Sequence, residues 1–103
     1  VVKAPGECAA YYAACKMLRA LPLLSKVMAI ELLMACQGMD IVKERLPELS
    51  FGLGTAAAKD KVREKIAMMT ENRFVSPDMN EADRFITSGE VLKAVEATVG
   101  GLR

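Results

Sequence analysis

The feature that most constrains the fold is an apolar stretch that extends from Pro22 to Asp40, Pro-Leu-Leu-Ser-Lys-Val-Met-Ala-Ile-Glu-Leu-Leu-Met-Ala-Cys-Gln-Gly-Met-Asp. It is rich in Leu, Met and Ala, which lose little side-chain freedom in a helix. Such a helix would be apolar nearly all the way round, and helices of that kind are enclosed by other helices. A chain of 103 residues has little material with which to enclose it. We therefore expect this stretch to pack inside a larger helical assembly.

The rest of the composition also favours helices. Aromatic residues make up only 5% of the chain, and the alternating pattern of a half-buried strand is hard to find. We predict an all-α fold, a helical bundle segment in which one long buried helix accompanies shorter amphipathic helices. Residues 1–103 then form a single helical region, with apolar bundle helices in 1–39 and amphipathic helices and loops in 40–103.

Charge, histidine and cysteine content exclude several classes of function. The formal net charge is +1, so the chain lacks the basic surface that binds nucleic acid or an anionic membrane. Histidine, the commonest general base and metal ligand, is absent. The three cysteines are odd in number and show no C-x-x-C spacing. They indicate reduced thiols in a cytoplasmic protein, with neither a disulfide framework nor a metal site.

The apolar stretch is long enough to suggest a membrane span, but its charges argue against one. Lys26 and Glu31 are five residues apart and therefore lie on different sides of a helix. Two charges that point in different directions near the middle of a bilayer are costly. We therefore predict that the chain has no membrane partner.

The recurrence of apolar residues and the positions of Pro, Gly and hydroxyl residues predict five helical segments. These are Glu7–Leu21, Leu23 to about Met39, Ala56 to about Asn72, Ser76 to about Ile86, and Glu90–Val99. Pro22 either opens the second helix or interrupts one long helix. Thr55 and Ser76 are the predicted N-caps of the third and fourth helices.

Two polar residues of the apolar stretch are candidate site residues. Glu31 is a carboxylate in apolar surroundings, where a raised pKa would let it act as an acid or base. The structural alternative, a pairing with a basic residue across a helix interface, is favoured because enclosed carboxylates are usually paired. Gln37 is predicted to connect helices in the same bundle. We therefore treat Glu31 and Gln37 as structural polar residues.

Two segments resemble histidine ammonia-lyases. Residues 27–40, Val-Met-Ala-Ile-Glu-Leu-Leu-Met-Ala-Cys-Gln-Gly-Met-Asp, are similar to the run V-L-A-I-E-L-L-A-A-C-Q-G-L-D near the C-terminus of that family. Residues 72–79, Asn-Arg-Phe-Val-Ser-Pro-Asp-Met, are similar to the family's D-R-F-x-x-P-D-I and follow in the same order. Weaker helical similarity extends from about Ala13 to Leu92.

The resemblance implies an all-helical homotetramer whose long helices form a central bundle. Members of the family eliminate ammonia from histidine, or from phenylalanine or tyrosine in their relatives. They use a methylidene-imidazolone cofactor that forms autocatalytically from Ala-Ser-Gly. That tripeptide and most catalytic residues lie upstream of the matched region, so we expect no cofactor on this chain.

Two short segments show local similarity to catalytic elements of the family. The family carries Q-E-D-H-V-S-M just before the matched region, and its Glu contributes to the active site. An ungapped count places Ala4 there, whereas Glu7 needs a shift of three residues and is not followed by His. Glu7 is thus the only candidate catalytic residue. Thr87-Ser88-Gly89 is similar to the tripeptide but falls where the family has a helix connector.

Two hypotheses follow from the sequence. In the first, the chain is the C-terminal helical portion of an ammonia-lyase-like protein, supplies bundle and oligomer packing, and is inactive alone. It is then a proteolytic product, a truncated chain or a small subunit that complements a larger one. In the second, it is a free-standing helical oligomerisation module without enzymatic activity. Neither hypothesis identifies the amino acid substrate.

Overall fold

A computed structural model describes residues 5–102 of the chain, with side chains from residue 8 onward. These residues contain four helices and no strand, which confirms the all-α prediction. The helices are α1 (Pro5–Arg45), α2 (Leu53–Arg63), α3 (Ser76–Thr87) and α4 (Glu90–Val99). α3 packs against α1, α4 packs against α2, and α3 also contacts α4. The molecule is elongated, 68 × 36 × 20 Å, because α1 is much longer than the other helices.

α1 is one continuous helix of 41 residues, about 60 Å long at 1.5 Å per residue. Pro22 lies inside it, so the prediction of a new helix at Pro22 is wrong and the alternative of one long helix is confirmed. Proline removes a single main-chain hydrogen bond from a helix. The many turns on either side of Pro22 keep their own bonds, and the helix therefore continues.

α2 begins earlier and ends earlier than the sequence predicts. Gly52 is its N-cap, so Thr55 lies inside the helix rather than capping it. Gly54, expected in a loop, belongs to the first turn of α2 and faces α4. A Cβ atom on Gly54 would lie 3.3 Å from Val95 Cγ1. This glycine therefore allows close approach of two helices.

The segment after α2 is not helical. α2 ends at Arg63, whereas the sequence predicted helix to about Asn72. Residues 64–75, called the α2–α3 connector below, cross the molecule from the end of α2 to the start of α3. The structure shows that this path is fixed by side chains of α1, α2 and the connector itself, which the pattern of apolar residues does not reveal.

α3 and α4 have nearly the predicted bounds. Helix α3 begins at Ser76 with Pro77 in its first turn, but Val75 is the N-cap and no side chain caps the helix, so the predicted hydroxyl cap is wrong. Gly89, with φ of +76°, separates α3 from α4. α4 extends from Glu90 to Val99 as predicted, and Gly100 ends it with φ of +87°. Glycine adopts such positive φ angles without strain.

The core lies between the C-terminal half of α1, the end of α2, the start of the α2–α3 connector and α3. Its buried members are Ala29, Cys36, Val62, Ile66, Ala82 and Phe85. The N-terminal half of α1 extends beyond this core. Among residues 5–102, none of the helices combines the length and apolarity needed to cross a bilayer.

The apolar stretch of α1 is only partly covered by its own chain. Ala29 and Cys36 are buried, whereas Val27 is 54% exposed and Met34 68% exposed. A lone chain therefore leaves much apolar side-chain surface of α1 in contact with water, a situation that globular monomers avoid over large contiguous areas. The described part of the chain does not itself provide the expected enclosure.

Candidate functional site

The two sequence segments that resemble ammonia-lyases meet in space. They border a cavity of about 270 Å³ between α1, the α2–α3 connector and the start of α3. Ile30, Leu33, Met34 and Gln37 line it from residues 27–40 of α1. Arg73, Val75, Asp78 and Met79 line it from residues 72–79. We call it the α1–α3 cavity. Its apolar walls are surrounded by a small set of polar side chains that hold the connector in place.

Gln37 makes the central polar contact of this site. Its Nε2 donates a hydrogen bond to the Met69 carbonyl at 2.8 Å, and the Met69 N–H donates to Gln37 Oε1 at 3.0 Å. The side-chain amide thereby satisfies both main-chain groups of one connector residue, as a neighbouring strand would. Gln37 thus connects α1 to the connector rather than to another helix.

Asp40 joins α1 to the end of α2. Its carboxylate lies 2.8 Å from Lys59 Nζ and accepts hydrogen bonds from Arg63 Nε at 2.9 Å and Arg63 Nη2 at 2.6 Å. The three side chains are each less than one-fifth exposed. Arg63 Nη1 also donates to the Ile66 carbonyl at 3.1 Å. One carboxylate therefore positions both cations and, through Arg63, the first turn of the connector.

Arg73 holds the other end of the connector in place. Its Nε donates to Asp78 at 2.9 Å, which ties it to the first turn of α3. Its Nη2 donates to the Ala67 carbonyl at 2.6 Å and its Nη1 to the Met68 carbonyl at 3.3 Å. The planar guanidinium can make all three contacts because its donors form a rigid fork.

The pKa of Asp40 is lower than that of an ordinary aspartate. Partial burial opposes ionisation, but hydrogen bonds from Lys59 and Arg63 and the positive charges of both side chains outweigh it. The ionised form is therefore the one that the fold stabilises. By contrast, burial raises the pKa of the Cys36 thiol, and the nearby charges of Arg63, Asp40 and Lys59 change it less. A buried thiol of raised pKa is a poor nucleophile.

The lowered pKa of Asp40 predicts a loss of stability in acid. A group with a lower pKa in the folded state stabilises the fold fully above its unfolded pKa, about 3.9 for aspartate. This contribution is lost as the pH falls through the lower folded pKa. At pH 6 we expect a higher free energy of unfolding for the wild type than for Asp40→Asn. This difference should shrink as the pH approaches 2. Urea denaturation at each pH measures it. A difference that stays constant with pH would contradict this assignment.

The structure does not bring the two predicted polar residues together. Glu31 is exposed on α1 and forms no ion pair with any side chain among residues 8–102. It borders a shallow groove with Leu32 and Ile86, whereas Gln37 faces the α1–α3 cavity. The main chain of Glu7 is in the first turns of α1, and its side chain lies outside the described residues.

Sequence reasoning missed Asp40, Arg63 and Arg73, which do most of the positioning. Asp40 and Arg73 are two of the four charged residues in the two segments that resemble ammonia-lyases, beside Glu31 and Asp78, and this was the available signal. Arg63 had no such signal, because it belongs to a helix with many surface charges.

Thr87-Ser88-Gly89 connects two helices. Thr87 ends α3, and its hydroxyl donates to the Asp83 carbonyl at 3.0 Å. Ser88 is the C-cap of α3, and Gly89 makes the turn into α4. The three residues thus form the turn that joins α3 to α4.

The charged side chains around the α1–α3 cavity form ion pairs with one another. Arg63 is paired with Asp40 and Arg73 with Asp78. Among the described residues, every buried side-chain nitrogen or oxygen has a hydrogen-bond partner. The arrangement therefore fixes the relative positions of α1, α2, α3 and the connector. It is a structural site that organises a helical surface.

Comparison with known proteins identifies similar sequences. The histidine ammonia-lyase of Alkaliphilus oremlandii is 38% identical over 73 residues, which is 71% of this chain and 14% of the relative. That of Natranaerobius thermophilus is 37% identical over 78 residues, 76% of this chain and 15% of the relative. That of Sorangium cellulosum is 41% identical over 75 residues, 73% of this chain and 14% of the relative.

The chain spans about one-seventh of the length of these curated relatives. Neither a protein-family model nor a solved structure matches it.

Proposed function

Because this chain belongs to the histidine ammonia-lyase family, we propose that it is the C-terminal helical portion of an ammonia-lyase-like protein. In this role it supplies helix packing and oligomer contacts, and it is inactive alone. The position at the C-terminal end rests on the two similar segments, residues 27–40 and 72–79, which correspond to runs near the end of family members.

The observation that carries this proposal is the uncovered surface of α1. Leu23, Leu24, Val27 and Met34 are each more than half exposed, although they are large and apolar. At about 25 cal/mol for each Å² of apolar surface removed from water, covering several such side chains is strongly favourable. Further helices, from the rest of a lyase chain or from other copies, would provide that cover.

The polar contacts around the α1–α3 cavity support a packing role. They hold the connector against α1 through Gln37, Arg63 and Arg73. This fixes α2–α4 along one side of α1 and leaves the opposite side available. The cofactor and the groups that act on the substrate, histidine or an aromatic amino acid, would come from the remaining part of the protein. We retain a cytoplasmic location as a prediction from the unpaired thiols.

Native mass spectrometry combined with an ammonia-release assay tests the proposal. We expect the 11.2 kDa chain, purified from its source, to remain bound to a larger lyase chain. The complex should release ammonia from histidine or an aromatic amino acid, and the isolated 103-residue chain should release none. Ammonia release by the isolated chain would overturn the proposal. A homo-oligomer without any larger partner would instead favour the free-standing oligomerisation module.

A further inference from the structure

The α1–α3 cavity is an open space whose walls are mainly apolar. Among the described residues that line it, eight have apolar side chains and four have polar ones. Ile66 is 2% exposed, and Leu33, Met69 and Met79 are partly buried. An apolar wall without neighbouring atoms lacks the dispersion contacts of a filled core, and apolar cavities hold water poorly. A molecule that fills this space would therefore gain apolar contacts.

The polar groups of the cavity already have partners within the chain. Gln37 uses both ends of its amide on Met69. Arg63 and Arg73 each donate from all three guanidinium nitrogens, to an aspartate and to connector carbonyls. An anionic ligand would have to displace these contacts, because an unpaired charge in an apolar cavity is costly. The two guanidinium charges also oppose a cation, so the site suits an uncharged molecule.

Methionine and arginine side chains make the cavity suited to an aromatic ring. Met34, Met69 and Met79 all line it, and thioether sulfurs make favourable contacts with aromatic rings. Guanidinium groups whose edges are occupied still offer their planar faces, which stack on aromatic rings. Methionine is also flexible, so the walls can adapt to a flat molecule. An aliphatic ligand of the same size would gain neither the sulfur contacts nor the stacking.

The volume of the cavity sets the size of the molecule. An apolar cavity of about 150 Å³ holds one benzene ring. The α1–α3 cavity, at about 270 Å³, has space for two fused rings. We propose that it is a binding site for a small uncharged bicyclic aromatic molecule of the size of indole. This inference does not rest on the proposed function, because the residues that line the cavity belong to one chain.

Indole and tryptophan form a matched pair of probes for the purified 103-residue chain. They share the two fused rings, but tryptophan also carries an ammonium and a carboxylate that would enter apolar surroundings. Isothermal titration calorimetry measures both dissociation constants. We expect about 0.1–1 mM for indole, as for other ligands of this size, and a constant at least tenfold higher for tryptophan. Phenol should likewise bind more tightly than cyclohexanol, which has the same ring size without aromatic character.

The methyl signals of the methionines locate the bound ring. In ¹³C-methyl NMR spectra, we expect indole to shift the signals of Met34, Met69 and Met79. Met17 and Met28 are exposed on α1 and do not line the cavity, so their signals should stay in place. Equal shifts at all five methionines would indicate general adsorption to apolar surface and would overturn the proposal.

Ala67→Phe fills the cavity, and Ala97→Phe is its matched control. Ala67 lines the cavity, whereas Ala97 is exposed on α4. With helix content checked by circular dichroism, we expect Ala67→Phe to weaken indole binding about tenfold and Ala97→Phe to stay within about twofold of wild type. Unchanged binding in Ala67→Phe, tryptophan as tight as indole, or cyclohexanol as tight as phenol would refute the site or its chemistry. So would a folded chain that binds no indole, whether another side chain fills the cavity or its walls close.

Discussion

Phe85→Ala is expected to lower the free energy of unfolding by about 3–5 kcal/mol, the range observed when a buried aromatic ring is removed. Phe85 is 2% exposed and is the largest side chain of the core formed by α1, α2 and α3. Its loss would leave a cavity in the buried cluster that also contains Ile66 and Val62, because the surrounding side chains collapse only in part. Urea denaturation followed by circular dichroism at fixed protein concentration measures this change.

Phe74→Ala is the matched control for the core substitution. It removes the same side chain from a residue that is 80% exposed in the α2–α3 connector. We expect the free energy of unfolding to change by less than about 0.5 kcal/mol, as for most surface substitutions. Equal losses in the two variants would mean that Phe85 does not occupy the core or that Phe74 is covered in solution by another chain. Comparing the control at two protein concentrations separates these explanations.

Gln37→Leu is expected to cost about 2–3 kcal/mol, because it leaves both main-chain groups of Met69 without their partner. Leucine has a similar volume, so the loss reflects the hydrogen bonds rather than a cavity. The local readout is amide hydrogen exchange at Met69, which should become much faster because its N–H loses the Gln37 oxygen. Unchanged exchange at Met69 would exclude the contact.

Gln37→Glu provides a graded comparison. A carboxylate still accepts a hydrogen bond from the Met69 N–H but cannot donate to the Met69 carbonyl when ionised. We therefore expect an intermediate loss of stability at neutral pH and nearly normal protection of the Met69 amide. If the glutamate variant matched the leucine variant in both measurements, the N–H contact would not be the one that protects Met69.

Much of the fold could be predicted from the sequence because its signals are local. α4 ends where Gly100 allows a positive φ, and α3 starts where Pro77 is compatible with a first turn. The two similar segments, residues 27–40 and 72–79, also identified the elements that border the α1–α3 cavity. In each case a few neighbouring residues contain the physical reason for the structure.

Long-range contacts account for what could not be predicted. Helical periodicity continues past Arg63, yet α2 ends there because Asp40 holds the Arg63 side chain and Gln37 holds the connector. These partners are more than 20 residues away in the sequence. Similarly, Gly54 marks a close approach of α2 to α4 rather than the loop predicted from its glycine neighbours.

The uncovered apolar surface of α1 differs from what the sequence pattern predicts. Apolar residues nearly all round a helix predicted enclosure, and the chain encloses only the side with Ala29 and Cys36. The other side is left for contacts beyond this chain. Glu31, expected to be paired, is exposed for the same reason.

The contacts that hold the α2–α3 connector are made to its main chain, so they constrain few of its side chains. Gln37, Arg63 and Arg73 bind its peptide groups, which are the same for nearly every amino acid. The exposed positions 67 and 70–72 can therefore vary in size and charge while the connector keeps its path. Position 69 is the exception for proline, which has no N–H to donate to Gln37. This segment can acquire new surface chemistry without rebuilding the helices that it joins.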